Sequence, residues 1–222
     1  MEPVKFTEVI RLASNLSVLI PLIIYLARIK HASRQIHIIG VLVVVSGLCD
    51  LAGFMLHNEN QSTELLFNVY YTSLFLLLTW FYYYNFVDTL HRMMIWVGLA
   101  VYVPSFFLVS MYVQGFSEYQ TMMWLITAII MIIYSIAYFF NSITTISATQ
   151  YSAYGLIWVN IGVMIYFCMN SFLFVMANYV LTELDPETAK LIWSSHNINN
   201  IIKNILFGIG ILHCKRTMPV VM

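Results

Sequence analysis

Charge is what this sequence most lacks. Its 222 residues include ten lysines and arginines and ten aspartates and glutamates, 9% of the chain, where a soluble domain carries about 25%. With 61% of the residues hydrophobic, too few charges remain to cover a water-facing surface. That excludes an ordinary soluble domain and indicates a membrane protein. The formal net charge is zero, so no bulk field exists to draw nucleic acid, and no nucleic-acid partner is expected. Cysteine is scarce as well. Cys49, Cys168 and Cys214 stand apart, with no CxxC pair, which excludes a disulfide framework and a cysteine-rich zinc site. Each is expected to pack as a small apolar residue. Long polar stretches are also missing, so residues 1–222 read as a single integral membrane domain. The N-terminal "MEPVKFTEVIRLASNLSVLIPLIIYLARIK" lacks the order of a signal peptide, because its basic cluster follows the apolar run. It is expected to remain as the first span.

What is present is a series of apolar runs, each close to the length of roughly 20 residues that a membrane helix needs. Seven qualify, at approximately 6–27, 36–56, 63–87, 93–113, 119–142, 154–180 and 188–213. The expected fold is therefore all-α, a seven-transmembrane-helix bundle with short connections and antiparallel neighbours. Loop charges separate by sign. The first connection holds Arg28, Lys30 and Arg34, the third Arg92 beside His91, and the tail Lys215 and Arg216. The second, fourth and sixth hold Glu59, Glu64, Glu118, Glu183, Asp185 and Glu187, with Lys190 as the single base. By the positive-inside rule the N-terminus is expected outside and the C-terminus in the cytoplasm. Aromatic residues fall near the expected interfaces: "TWFYYYNF" from Thr79 to Phe86, Trp96 and Trp158 at the inner one, and Tyr119, Trp124, Tyr179 and Trp193 at the outer one. They read as a belt of amphipathic rings. Pro21 and Pro104 are candidate kinks.

The last span is the most polar. On a helical wheel His196, Asn200 and Lys203 of "WSSHNINNIIKNILFGIGILHC" share a narrow arc, flanked by Asn199, Asn197 and Asn204. Ile198, Ile201, Ile202, Ile205 and Leu206 occupy the other half. Polar groups are costly in hydrocarbon, so this stripe is expected to turn into the bundle. Asp50 is the one carboxylate deep in a span, and Arg11 and Asn15 share a face of the first span at i, i+4 spacing. By depth, Asp50 is expected to face His196 or Arg11. Asn68 and Tyr71 in the third span and Asn170 in the sixth extend the set. The candidate ligand-binding or ion-pair cluster is thus Arg11, Asn15, Asp50, Asn68, Tyr71, Asn170, His196, Asn199, Asn200 and Lys203. The competing reading of each asparagine is interhelical glue.

Lys203 invites comparison with the microbial rhodopsins, in which a seventh-helix lysine holds retinal. Here Asn199 stands four before the lysine where an acid is expected, Phe207-Gly208 comes one place late, and span six lacks the expected proline. Of the six histidines only His196 lies deep, so no zinc triad can be assembled as in membrane metallohydrolases. No catalytic residues, metal or cofactor are expected, since one aspartate and one histidine do not specify an enzyme mechanism. The run "SSHNINNIIKNILFGIGIL" resembles the last span of a group of small seven-span bacterial membrane proteins of the Bacteroidetes type, which share an H-N-I-x-N-I-I-x-N-I-L pattern and a short basic tail. That resemblance carries no chemistry. It implies a bacterial inner-membrane protein working beside signalling components. The expected function is a receptor-like sensor that binds a small molecule in a polar cavity of the outer half. No kinase, cyclase or DNA-binding segment is read in the chain, so the signal is expected to pass to a separate partner protein. A small transporter or proton-coupled carrier is the alternative, and a retinal photoreceptor on Lys203 a more distant one.

Overall fold

The computed structural model of the chain describes residues 3–59, 61–145 and 151–214. All regular structure among them is helical: α1 (Pro3–Ser17), α2 (Leu19–Arg28), α3 (Arg34–Asn58), α4 (Glu64–Asn85), α5 (Thr89–Tyr112), α6 (Thr121–Thr145), α7 (Tyr151–Thr182) and α8 (Pro186–His213), with one 3-10 turn at Ile29–His31. Because α1 and α2 form one broken rod, the described residues make seven helices. Six are long and apolar enough to cross a membrane: Phe6–His31, Arg34–Leu56, Glu64–Asn85, Thr89–Tyr112, Thr121–Ser142 and Tyr154–Thr182. They mark an integral membrane protein. The seventh, α8, is as long as the others but too polar to qualify by composition.

The helix limits follow from local chemistry. Asp88 caps α5 by accepting the His91 N–H at 2.9 Å, which starts that helix four residues ahead of the expected Met93. Asp185 caps α8 by accepting the N–H groups of Glu187 and Thr188 at 3.1 and 2.9 Å, with Pro186 in the first helical position where its missing N–H costs nothing. Both aspartates lie outside the spans. Backbone N–H donors, from His91 and Thr188 respectively, hold their carboxyls below the ordinary carboxylate range. Pro21 has no N–H to offer the Ser17 carbonyl, and the first rod breaks at Val18 between α1 and α2. Pro104 leaves α5 unbroken.

The helices close into a ring in the order α1/α2, α3, α4, α6, α7, α8 and back to α1/α2, while α5 packs outside on α6 and α4. α8 packs chiefly along α7, and the two approach backbone to backbone. A Cβ on Gly155 would lie 2.6 Å from the Gly210 carbonyl oxygen, and one on Gly210 would lie 2.7 Å from that of Gly155. Only glycine permits that distance. At the same end of the bundle Arg28 donates to the Leu212 carbonyl, near the end of α8, and Tyr25 pairs with His37 at 3.0 Å. The connections α3–α4, α5–α6 and α7–α8 gather at the opposite end. The basic tail residues Lys215 and Arg216 lie outside the described residues.

Candidate functional site

The polar stripe of α8 divides among three neighbours. Asn200 donates to Ser14 Oγ at 3.0 Å and Asn204 to Ser17 Oγ at 2.8 Å, tying α8 to α1 beside the proline break. Asn199 donates to Asn170 at 3.2 Å, and Asn170 in turn donates to the Tyr166 carbonyl at 2.8 Å. These asparagines are satisfied and join helices. His196 and Lys203 are different. Lys203 is 4% exposed, and its ammonium lies 4.5 Å from the centroid of the Tyr166 ring, close enough for a cation–π contact. Ile198, Ile202 and Ile205 face outward from the bundle, as their side of the wheel requires.

Asp50 comes to Lys203 from across the ring. Each acts electrostatically on the other, and Asp50 also lies within reach of Tyr70 and Tyr166. Ser46, one turn before Asp50, meets the Tyr70 hydroxyl at 3.2 Å, and Tyr71 meets the Tyr166 hydroxyl at 3.3 Å. The pairing expected from depth, Asp50 with His196 or Arg11, does not form. Arg11 is exposed, and among the described residues the ion pair within 4.0 Å is Asp88 with His91. The face that α1 turns to α8 carries Ser14 and Ser17, and Asn15 is half-buried at its edge. Side chains on a helix lean towards its N-terminus. α3 and α8 run in opposite directions, so Asp50 and Lys203 lean towards each other while His196 leans away.

Beyond the tyrosines lies an aromatic cluster. Trp124 stacks on Tyr71 at 4.8 Å and an interplanar angle of 24°. It meets Trp193 edge-on at 6.3 Å and Phe174 at 5.9 Å. His196 is enclosed by Trp193 at 5.5 Å, Tyr166 at 5.7 Å and Phe174 at 6.3 Å. Within it the ring nitrogens Nε1 of Trp124, Nε1 of Trp193 and Nδ1 of His196 are buried and have no hydrogen-bond partner among the described residues. This differs from the reading of Trp124 as an interfacial ring, since Trp124 is 3% exposed, while Trp193 is half-buried. Helical spacing carried a signal for it. Trp193 precedes His196 by three and Lys203 by ten, and Trp124 shares an inward face with Ala128, Met131 and Ser135. Trp80, Trp96 and Tyr179 remain on the outside of the bundle, as a belt requires.

Asn68 does something else. It donates to the carbonyls of Phe116 and Glu118 and accepts from the Gln120 N–H at 3.1 Å. Gln114, Thr121 and the exposed Asn178 form a further hydrogen-bond network next to it. Together they fold the α5–α6 connection inward, and Tyr119 packs on Trp124 at 5.8 Å. Nearer the other end, Tyr82 meets Ser135 at 2.7 Å and donates to Asn160 at 2.7 Å, a second fully buried node that locks α4, α6 and α7. Among the described residues no group of three or more histidine, cysteine or acidic side chains is arranged to hold a metal. No protein-family model, curated protein or solved structure matches the chain.

Proposed function

We propose that the chain is a seven-helix membrane receptor of a bacterial inner membrane, with its N-terminus outside. It binds a small molecule between the aromatic cluster and Lys203, and it signals through a separate partner protein. The observation that carries this reading is the inward face of α8. One helix places a buried ammonium and two buried, unpartnered ring nitrogens, on Trp193 and His196, along a continuous wall. Asn199, Asn200 and Asn204 beside them are hydrogen-bonded to neighbouring helices, and the two ring nitrogens are not. Intramembrane ionisable groups are expensive to keep, which makes them the first place to look for a function. The same helix is tied to the broken α1/α2 rod through Ser14 and Ser17. A ligand that shifts α8 would therefore shift the rod whose far end carries Arg28 and Lys30.

The test is thermal unfolding of the purified chain in detergent against a panel of small metabolites and lipids. A ligand of the native state raises the transition temperature in proportion to its occupancy. Lys203→Met is expected to fold, less stably than the wild type, and to lose stabilisation by those compounds that reach its ammonium. A variant that loses stability but keeps its ligand response would assign Lys203 to holding helices together, and the receptor reading would fail at this residue. A proton-coupled carrier is the second reading, favoured by the opposed charges of Asp50 and Lys203 inside the ring. Uptake of a labelled compound into vesicles, driven by a proton gradient and lost in Asp50→Asn, would decide for it.

A further inference from the structure

Three ring nitrogens on three touching rings lack partners. Trp124 meets Trp193 at 6.3 Å and Trp193 meets His196 at 5.5 Å, both edge-on at 78°. The free atoms are Nε1, Nε1 and Nδ1. An indole nitrogen can only donate, and an imidazole nitrogen donates in one tautomer. Leaving such donors buried and unmatched is unfavourable, and native interiors avoid it. Three in one contact chain point to an acceptor supplied from outside the protein.

The walls restrict its shape. Tyr71 lies nearly parallel to Trp124, and Phe174 meets Tyr71 edge-on at 5.6 Å. Aromatic surroundings favour a conjugated ring, which gains from offset and edge-on contacts alike. Charge restricts it further. The nearest cation, Lys203, lies seven residues beyond His196, about 10 Å along the helix axis, and already has Asp50 as its opposite charge. An anion held by the three rings would keep its charge unmatched in a medium of low polarity, whereas a neutral carbonyl would not. Trp193 and His196 are half-buried, so the cluster lies at the edge of the bundle's interior.

Building on the receptor reading above, we infer that the ligand is a flat, neutral, ring carbonyl compound of the quinone class, soluble in the bilayer. Its carbonyl oxygens would accept from Trp124, Trp193 and His196.

Duroquinone, whose ring is fully methylated and does not add thiols, is the probe. Durene, the same ring without oxygens, and mesitoate, a methylated ring with a carboxylate, are the comparisons. Binding to the purified full chain is read by tryptophan fluorescence and by the unfolding temperature. Duroquinone is expected to bind and stabilise more than durene in the wild type. Trp124→Phe and Trp193→Phe keep the ring and remove one donor each. Each is expected to weaken duroquinone binding roughly three- to tenfold while leaving durene binding unchanged. Equal binding of duroquinone and durene to the wild type would assign the donors to water and overturn the inference without any variant. Equal losses for both compounds in the variants would also overturn it, because only ring packing would then matter. Tighter binding of mesitoate would overturn the neutral class and move the acceptor to Lys203, with the receptor reading left standing. That reading fails separately, if no compound of the thermal panel stabilises the wild-type chain.

Discussion

Lys203 and Asp50 each stand seven residues from the nearest other acid or base on their own helices, His196 and His57, yet each feels the other's charge across the ring. Sequence showed that both were ionisable groups deep in a span. It did not show that they were partners, because depth counted from helix ends ignores the direction in which side chains lean. Antiparallel helices bring together groups whose Cα atoms lie at different depths, provided each chain leans towards the other. Removing one of the two leaves the other without its opposite charge, at a cost of about 1–3 kcal/mol, while removing both is less harmful. Asp50→Asn and Lys203→Met are each expected to destabilise the fold in this way, and the double variant is expected to recover much of the loss. Reversible unfolding in mixed micelles measures the cycle. Simple additivity would show that the two charges do not interact.

At the scale of the helix, α8 was legible in outline and illegible in detail. Its isoleucine face and its polar face follow from a period of 3.6 residues, and the structure turns Ile198, Ile202 and Ile205 outward and Lys203 inward. What a wheel cannot give is the partner of each polar group. Asn199 and Asn200 are adjacent in sequence, yet one binds α7 and the other α1. Nor does a wheel show that Trp124, suited to an interface, is turned inward by neighbouring helices. Glycine carries the other half of the helix's role. A Cβ on Gly210 would meet Val159 Cγ2 at 2.6 Å and the Gly155 carbonyl oxygen at 2.7 Å. Because a carbonyl cannot rotate away as a side chain can, Gly210→Ala is expected to separate α7 from α8 and cost about 1–3 kcal/mol. Gly53→Ala, whose nearest neighbour would be Leu66 at 3.6 Å, is expected to be neutral or slightly stabilising. Thermal unfolding of the two variants side by side makes the comparison, and equal effects would remove the close crossing from the account of the fold.

For the whole molecule the open question is how many times the chain crosses the bilayer. Six helices qualify by length and composition alone. α8 does not, yet its 28 residues extend about 42 Å at 1.5 Å per residue, enough to cross the ~30 Å hydrocarbon layer. Its polarity faces the ring, where α1 and α7 supply partners, and its isoleucines face out. A helix lying flat on a membrane would show the reverse economy, with its polar side towards water. The charges at the two ends agree with a crossing: Arg28, Lys30, Arg34 and Arg92 lie at the end where α8 finishes, and Glu118, Glu183 and Glu187 at the end where it begins. We therefore expect reporters at the N-terminus and within 183–187 to lie outside and a reporter after Met222 to lie in the cytoplasm. Accessibility of single engineered cysteines to an impermeant thiol reagent in intact cells reads each position, in a background lacking the three native cysteines. If 183–187 and the C-terminus report the same side, α8 does not cross, and its lysine and histidine lie at a surface. If the N-terminus reports the cytoplasm while the two ends of α8 still differ, seven spans stand and the orientation is inverted. The aromatic cluster would then open towards the cell interior.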